Sequence, residues 1–347
     1  MRPIKMLLAL MLGAGLVACG SGPRPQSQAA AAPQARAPVR EVQQLKLVVV
    51  SGGYNWPLWV GMAQGFFARN GVSVKTEAAP TVSYRLNGLV SGTFDIAMGP
   101  ADETIAQREG QGFPGADSSD LVLVMGGDSG FMHLASVPEV HTIPELRGKE
   151  LAVDSINTGT SFVLREILER KGGLEWNRDY KTAVSGAVQE RYLLLLQRKT
   201  AATMVMSPLD VQAREQGLNL LADGLGALGS YQGMAATVRR KWAHDNEPAL
   251  TGFIRGYRQS LEWLYNPANH AAAVAVFRHN LDSDAAQAET AYRLLMDPVN
   301  GFDPKARLNE EGMRTVLRLR EKYGRPAKKM QPLSAYYDPR YYEAATP

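Results

Sequence analysis

The chain has 347 residues, 45% of them hydrophobic and 21% charged, so it is long enough for two ordinary domains and composed like a soluble globular protein. Its formal charge of +4 is well mixed, with no Lys/Arg block beyond the short Arg325–Lys329 segment, which leaves no electrostatic footprint for nucleic acid. A single cysteine excludes an intramolecular disulfide.

The N-terminus carries a basic start (Arg2, Lys5), a short apolar run from Met6 to Ala18, and then "LVAC" ending at Cys19. The run is too brief to span a membrane and reads as the core of a signal peptide. "LVAC" resembles the lipobox of bacterial lipoproteins, which implies a signal peptide over residues 1–18 and acylation of Cys19. Residues 19–42 are rich in Ala, Pro, Gln and Ser without a hydrophobic period, the composition of a flexible tether.

From Leu45 the pattern is α/β. "LKLVVVSGG" is a continuous apolar strand, expected where both faces of a sheet are covered. "YNWPLWVGMAQGFFARNG" follows as a helix, with Asn55 as its cap, Pro57 just inside, and Leu58, Met62, Ala63 and Phe66 at helical spacing. Then come the strand "VSVKTEAA", the helix "TVSYRLNGLVSG", the strand "FDIAMGP", the helix "ADETIAQREG" and the strand "DLVLVMGGD". The rhythm restarts with the strand "ELAVD" and the helix "TGTSFVLREILERKG", which turns Phe162, Ile167 and Leu168 inward. "QERYLLLLQRKT", "AATMVMSP", "LDVQAREQG" and "LNLLAD" continue as helix, strand, helix and strand. Residues 239–323 are nearly all helical, and the aromatic tail "PLSAYYDPRYYEAA" is expected to pack back on the body. Strand–helix alternation argues for mostly parallel sheets.

The stretches "YNWPLWVGMAQGFFARNGVSVK", "VSGTFDIAMGPADE", "LRGKELAVDSINTGTSFVLREILERKGG" and "LLLLQRKTAATMVMSPLDVQAREQGL" resemble extracytoplasmic solute-binding proteins of ABC importers. The type is that of the nitrate/sulfonate/taurine and thiamine-precursor (hydroxymethylpyrimidine) binders. The resemblance implies a two-lobed type II periplasmic-binding-protein fold. Residues 43–134 and 239–347 would form lobe 1 and residues 135–238 lobe 2, with crossings near Phe131–Val137 and Tyr231–Val238. It also implies delivery of a small solute to an ABC permease and its ATPase, by a monomer held to the membrane through the lipid on Cys19.

In such sheets ligands lie outside the carboxyl ends of the strands, facing helix N-termini. The strand-to-helix junctions supply the candidates Tyr54, Asn55, Trp56, Ser83, Gly99, Pro100, Ala101, Asp102, Thr158, Gly159, Thr160 and Ser207, with Asp128 at a strand end and Tyr231 and Gln232 at the second crossing. Backbone N–H groups at 99–101 and 158–160 suit an anionic or carbonyl-bearing group; Asp102 and Asp128 suit an amino-bearing ring instead. Asn55, Ser83, Asp102 and Thr158 are equally good helix caps. Tyr54 and Trp56 would give an aromatic shelf, whereas Arg85 reads as a solvated residue and His133 as a structural one.

Thiamine-pyrimidine synthases share the fold but use a cysteine-rich motif and a lysine-bound cofactor; this chain has one cysteine. No catalytic, metal or cofactor motif is found, so the reading is a binding protein and not an enzyme. A ligand-sensing or partner-binding lipoprotein reusing the fold is the alternative. The solute is read as sulfonate-, carboxylate- or pyrimidine-like.

Overall fold

The computed structural model describes residues 42–115 and 117–346, so the leader, Cys19 and nearly all of the tether lie outside the described residues. Two five-stranded sheets organise the body. The first is built from β1 (Gln43–Val49), β2 (Val72–Ala78), β3 (Ile96–Pro100) and β4 (Leu121–Gly126). Between β1 and β2 lie α1 (Trp56–Ala63) and α2 (Phe66–Arg69); α3 (Val82–Ser91) and α4 (Ala101–Arg108) follow β2 and β3. The second sheet contains β5 (Met132–Ser136), β6 (Glu150–Val153), β7 (Lys181–Val184), β8 (Ala202–Met206) and β9 (Asn219–Asp223). Its helices are α5 (Gly159–Gly172), α6 (Val188–Leu196) and α7 (Leu209–Glu215). After α8 (Gly224–Leu228) the chain returns through β10 (Met234–Arg239) to the first sheet.

The strand orders are β2-β1-β3-β10-β4 and β7-β6-β8-β5-β9. Each sheet is parallel except for one inserted strand. β10 runs antiparallel to β3 and β4, and β5 antiparallel to β8 and β9. These are the strands that the crossings deliver, reversed because they enter from the opposite lobe. The crossings run through residues 127–131 and 229–233, since α8 packs on α5, β5 and β9; β5 belongs wholly to the second sheet and the expected boundary at 134/135 falls inside it. β3 and β6 end at the seam with their carboxyl ends, which brings the starts of α4 and α5 together.

The C-terminal helices are α9 (Arg240–Asp245), α10 (Glu247–Tyr265), α11 (His270–Leu281), α12 (Ala285–Leu295), α13 (Glu310–Tyr323) and α14 (Arg340–Ala344). α10 packs on α1, α2 and α14, and α11 on α1, burying Leu250, Phe253, Ile254, Tyr257 and Phe277 with the first sheet. Burying such side chains contributes about 1.5–3 kcal/mol each. α13 does something else: it lies against both α4 and α5. The aromatic tail does pack back, with Tyr336, Tyr341 and Tyr342 buried.

The opening helix differs from the expected periodicity. Its buried face is Trp56, Pro57, Leu58, Val60 and Gly61, while Met62 is exposed. The helix breaks after Ala63, and Gly65, at φ 69°, precedes α2 as its N-cap; one run of helical spacing therefore spans two short helices. Gly61 is wedged against Phe67 and Ser260, where a Cβ would lie 2.4 Å from the phenyl ring.

Candidate functional site

The seam between the lobes has two chemically distinct ends. At the first, α4, α5 and α13 converge. Asp102, in the first turn of α4, is 1% exposed and accepts from Arg320 Nε (2.6 Å), Arg320 Nη2 (2.5 Å) and the Gly159 N–H (2.7 Å). The carboxylate of lobe 1 thus sits on the N-terminus of α5 in lobe 2, where a helix favours negative charge. Arg320 is equally buried; its remaining donors meet Gln111 Oε1 and the Asn157 carbonyl, and its guanidinium lies 5.0 Å over the Phe162 ring. Only glycine fits at 159, since a Cβ would be 2.7 Å from both the Asp102 carboxyl carbon and the Tyr231 hydroxyl. Burial, and then the Asp102 charge, hold the Tyr231 phenol neutral by raising its pKa. Thr158 caps α5 by accepting from the Ser161 N–H and donates to Asp154 Oδ1 (2.7 Å), while Asn157 Nδ2 donates across the seam to the Gln111 carbonyl (2.6 Å). A cavity of about 70 Å³ remains beside this junction, lined by Leu86, Glu103, Phe113, Ser155, Asn157 and Arg320 among others.

α13 is fixed to lobe 2 by a second cluster. Glu166 of α5 takes Arg318, Lys322 and the Tyr323 hydroxyl at 2.7–2.8 Å. Burial works against its charge, but Lys322, Tyr323 and Arg318 outweigh it and hold the carboxyl down at about 2.

The lobe 1 wall is formed by the turn before α1 and by α3. Tyr54 is buried and its hydroxyl donates to the Ser51 carbonyl; Asn55 spends its amide on the Val50 carbonyl (2.6 Å) rather than capping α1. Trp56 is fully buried, donates Nε1–H to the Ala273 carbonyl (3.1 Å), and tilts onto Phe277 with ring centroids 4.4 Å apart. It belongs to the lobe 1 core instead of an aromatic shelf on the seam, because α11 supplies an aromatic partner that sequence spacing does not reveal. Such a pair is worth about 0.5–1.5 kcal/mol beyond its area. Arg85, read from sequence as solvated, is 3% exposed, pairs with Glu103, and lies against Gly99, where a Cβ would come within 2.7 Å of its Nε. Burial pulls its pKa down to about 10, with Tyr54 opposing. Thr81, not Ser83, caps α3; Ser83 accepts from Asn87. Pro100 precedes α4, and the Ala101 N–H is already given to the Gly233 carbonyl (2.9 Å).

The second end is the pair of crossings. Asp128 Oδ1 accepts from the N–H groups of Gly130 (2.8 Å) and Met234 (3.1 Å), and its carbonyl accepts from Gly233, tying one crossing to the other. Gln232 is structural: it donates to the carbonyls of Asp128 and Met234 and accepts from the Asn309 N–H. Asp128 Oδ2 has no partner, and burial raises the carboxyl to about 6 against the pull of the Met234 and Gly130 N–H groups. Ser207 lies one residue past the Met132–Met206 pair, hence opposite Phe131, and its buried Oγ is also without a partner. In the first turn of α7, Asp210 has Oδ1 unpartnered and Oδ2 3.4 Å from His133 Nδ1, which makes no hydrogen bond. α12 of lobe 1 packs on α7, and the Tyr54 phenol lies within the field of Asp128. Thr160 is half-buried at the start of α5. Sequence reading missed Arg320, Glu103, Gln111 and Asp210.

The NMT1/THI5-like family profile matches residues 54–271, more than half of the chain. No curated protein sequence matches. Among solved structures, the alkanesulfonate-binding protein SsuA from Xanthomonas axonopodis pv. citri bound to MOPS aligns with 17% identity and a TM-score of 0.68, over 86% of this chain and 99% of that one. The ligand-binding component of an ABC-type import system from Staphylococcus aureus, with zinc bound, aligns with 10% identity and a TM-score of 0.71, over 88% and 99%. The desulfurization enzyme DSZB shares the fold as well, at 10% identity and a TM-score of 0.60, over 86% and 98%. At these identities the likeness establishes the fold, that of periplasmic binding proteins. No group of three or more His, Cys, Asp or Glu side chains among the described residues is arranged to hold a metal.

Proposed function

The chain belongs to the NMT1/THI5-like family, and on that footing we propose that it is a lipid-anchored solute-binding protein, not an enzyme, that hands a small organic solute to an ABC importer. The observation that carries the reading is the seam itself. Loops at the carboxyl ends of strands from both lobes meet there, joined by two crossings, and bury polar side chains from each side. Two lobes joined by two short crossings can part and close about them; a solute bridging both walls shifts the population toward the closed form. The transport names of SsuA and of the Staphylococcus aureus component support the same role.

In this reading Asp128 and Ser207 face the solute at the crossing end of the seam, with Tyr54 on the neighbouring lobe 1 wall. Cys19 would carry the lipid that keeps the monomer on the extracytoplasmic face of the membrane. No described helix is long and apolar enough to cross a membrane.

A thermal-shift screen of sulfonates, nitrate, carboxylates, pyrimidines and amines tests the proposal. A cognate solute at 100 times its Kd adds about 2.7 kcal/mol of stability. A library-wide absence of any shift contradicts solute capture. Radiolabelled palmitate should label the wild type and not Cys19→Ala; an unlabelled wild type removes the anchor.

A further inference from the structure

The two arginines buried at the seam are already neutralised from within the chain: Arg320 by Asp102 and Arg85 by Glu103. The N-terminus of α5, the obvious cradle for an acidic solute, is taken by the same Asp102. An incoming anion would have to displace Asp102 to reach the α5 N-terminus or the Nε–Nη2 edge of Arg320.

The acceptors are not balanced in this way. Asp128, Ser207 and Asp210 are 4%, 5% and 3% exposed, and each keeps an oxygen without a hydrogen bond. They come from both sides of the crossings: Asp128 follows β4, Ser207 precedes α7, and Asp210 lies in the first turn of α7. Buried polar atoms are ordinarily paired, so free oxygens on one crossing and at the strand-to-helix turn opposite it point to a partner supplied from outside. That partner must donate, because two of the three are carboxylates and the one base beside them, His133, faces only Asp210.

We propose that the solute presents a cationic nitrogen, an ammonium or amidinium, to Asp128, Ser207 and Asp210 at the crossing end of the seam. The proposal rests on the solute-binding reading above and narrows it. Burial alone disfavours a bare charge on Asp128, and a bound cation removes that penalty. Phe131, half-buried and opposite Ser207, supplies an aromatic face suited to a cation.

Matched probes on the full chain test it: benzamidine against benzoate, and butylamine against butyrate and butanesulfonate, by thermal shift and titration calorimetry. The expected result is a rise in Tm with benzamidine or butylamine and none with the acids. Asp128→Asn and Ser207→Ala should each weaken that binding, the first by tenfold or more, while both variants stay folded by circular dichroism. Binding of a cationic probe that is unchanged in both variants overturns the site. Acids that shift Tm where the cations do not overturn the proposal and leave solute capture standing. No shift with any probe, nor with the wider solute library, overturns both.

Discussion

At the α5 end of the seam Asp102 gives its oxygens to Arg320 and Gly159; at the crossing end Asp128 gives one oxygen to two backbone N–H groups and the other to nothing. Both carboxylates are almost wholly buried. The difference is the cation. Asp102 has a guanidinium from α13 in bidentate contact, so its charge is matched inside the fold. Asp128 has only amide dipoles, and its carboxyl rises to about 6. A buried charge satisfied internally makes structure; one left half-satisfied is where a ligand has something to add.

The largest expected effect comes from breaking the satisfied end. Asp102→Ala leaves Arg320 buried and uncompensated and should cost about 3–5 kcal/mol in urea unfolding. Acetate should restore part of this loss by filling the vacated cradle, and Asp102→Ala with Arg320→Met should lose less than the two single changes summed. An ordinary midpoint for Asp102→Ala would mean that the two ends do not differ as described.

The unsatisfied end should respond with the opposite sign. The Asp128 carboxyl has a folded pKa of about 6 against an ordinary 3.8, so between these values the folded form binds more protons than the unfolded. Its contribution to stability therefore falls as pH rises from 4 to 6, and the penalty is complete above 6. Asp128→Asn escapes it and should be more stable than the wild type at pH 8, by at most about 3 kcal/mol, with the gap narrowing toward pH 4. A loss at pH 8 would reveal an internal partner for the carboxylate.

Smallest is Ser207→Ala. Its hydroxyl has no partner to lose, so unfolding free energy should move by no more than about 0.5 kcal/mol while binding weakens. A larger loss would make Ser207 structural.

How much of this was legible in the sequence follows from the range of each interaction. Strand–helix alternation is local, and it located the strand ends and the helix starts that meet at the seam. Thr158 at the start of α5 was read correctly as a cap candidate, and Phe162, Ile167 and Leu168 are buried as the helical period requires. The antiparallel insertion of β5 and β10 was not visible, because it depends on which lobe each strand enters from. Neither was the pairing of Asp102 with a residue 218 positions away. Arg85 shares the stripe of Leu86 and Leu89, and Arg320 that of Val316, Leu319 and Tyr323, all buried. An arginine on the apolar stripe of a helix needs internal acceptors, and these two have a carboxylate each.

The measurement that bears most directly on the central claim is a crystal structure of the chain with whichever solute raises its Tm. The account predicts the solute's polar group on Asp128 Oδ2 and Ser207 Oγ, with Asp102 still held by Arg320 and Gly159. A solute seated on the N-terminus of α5, with Asp102 pushed aside, would contradict it.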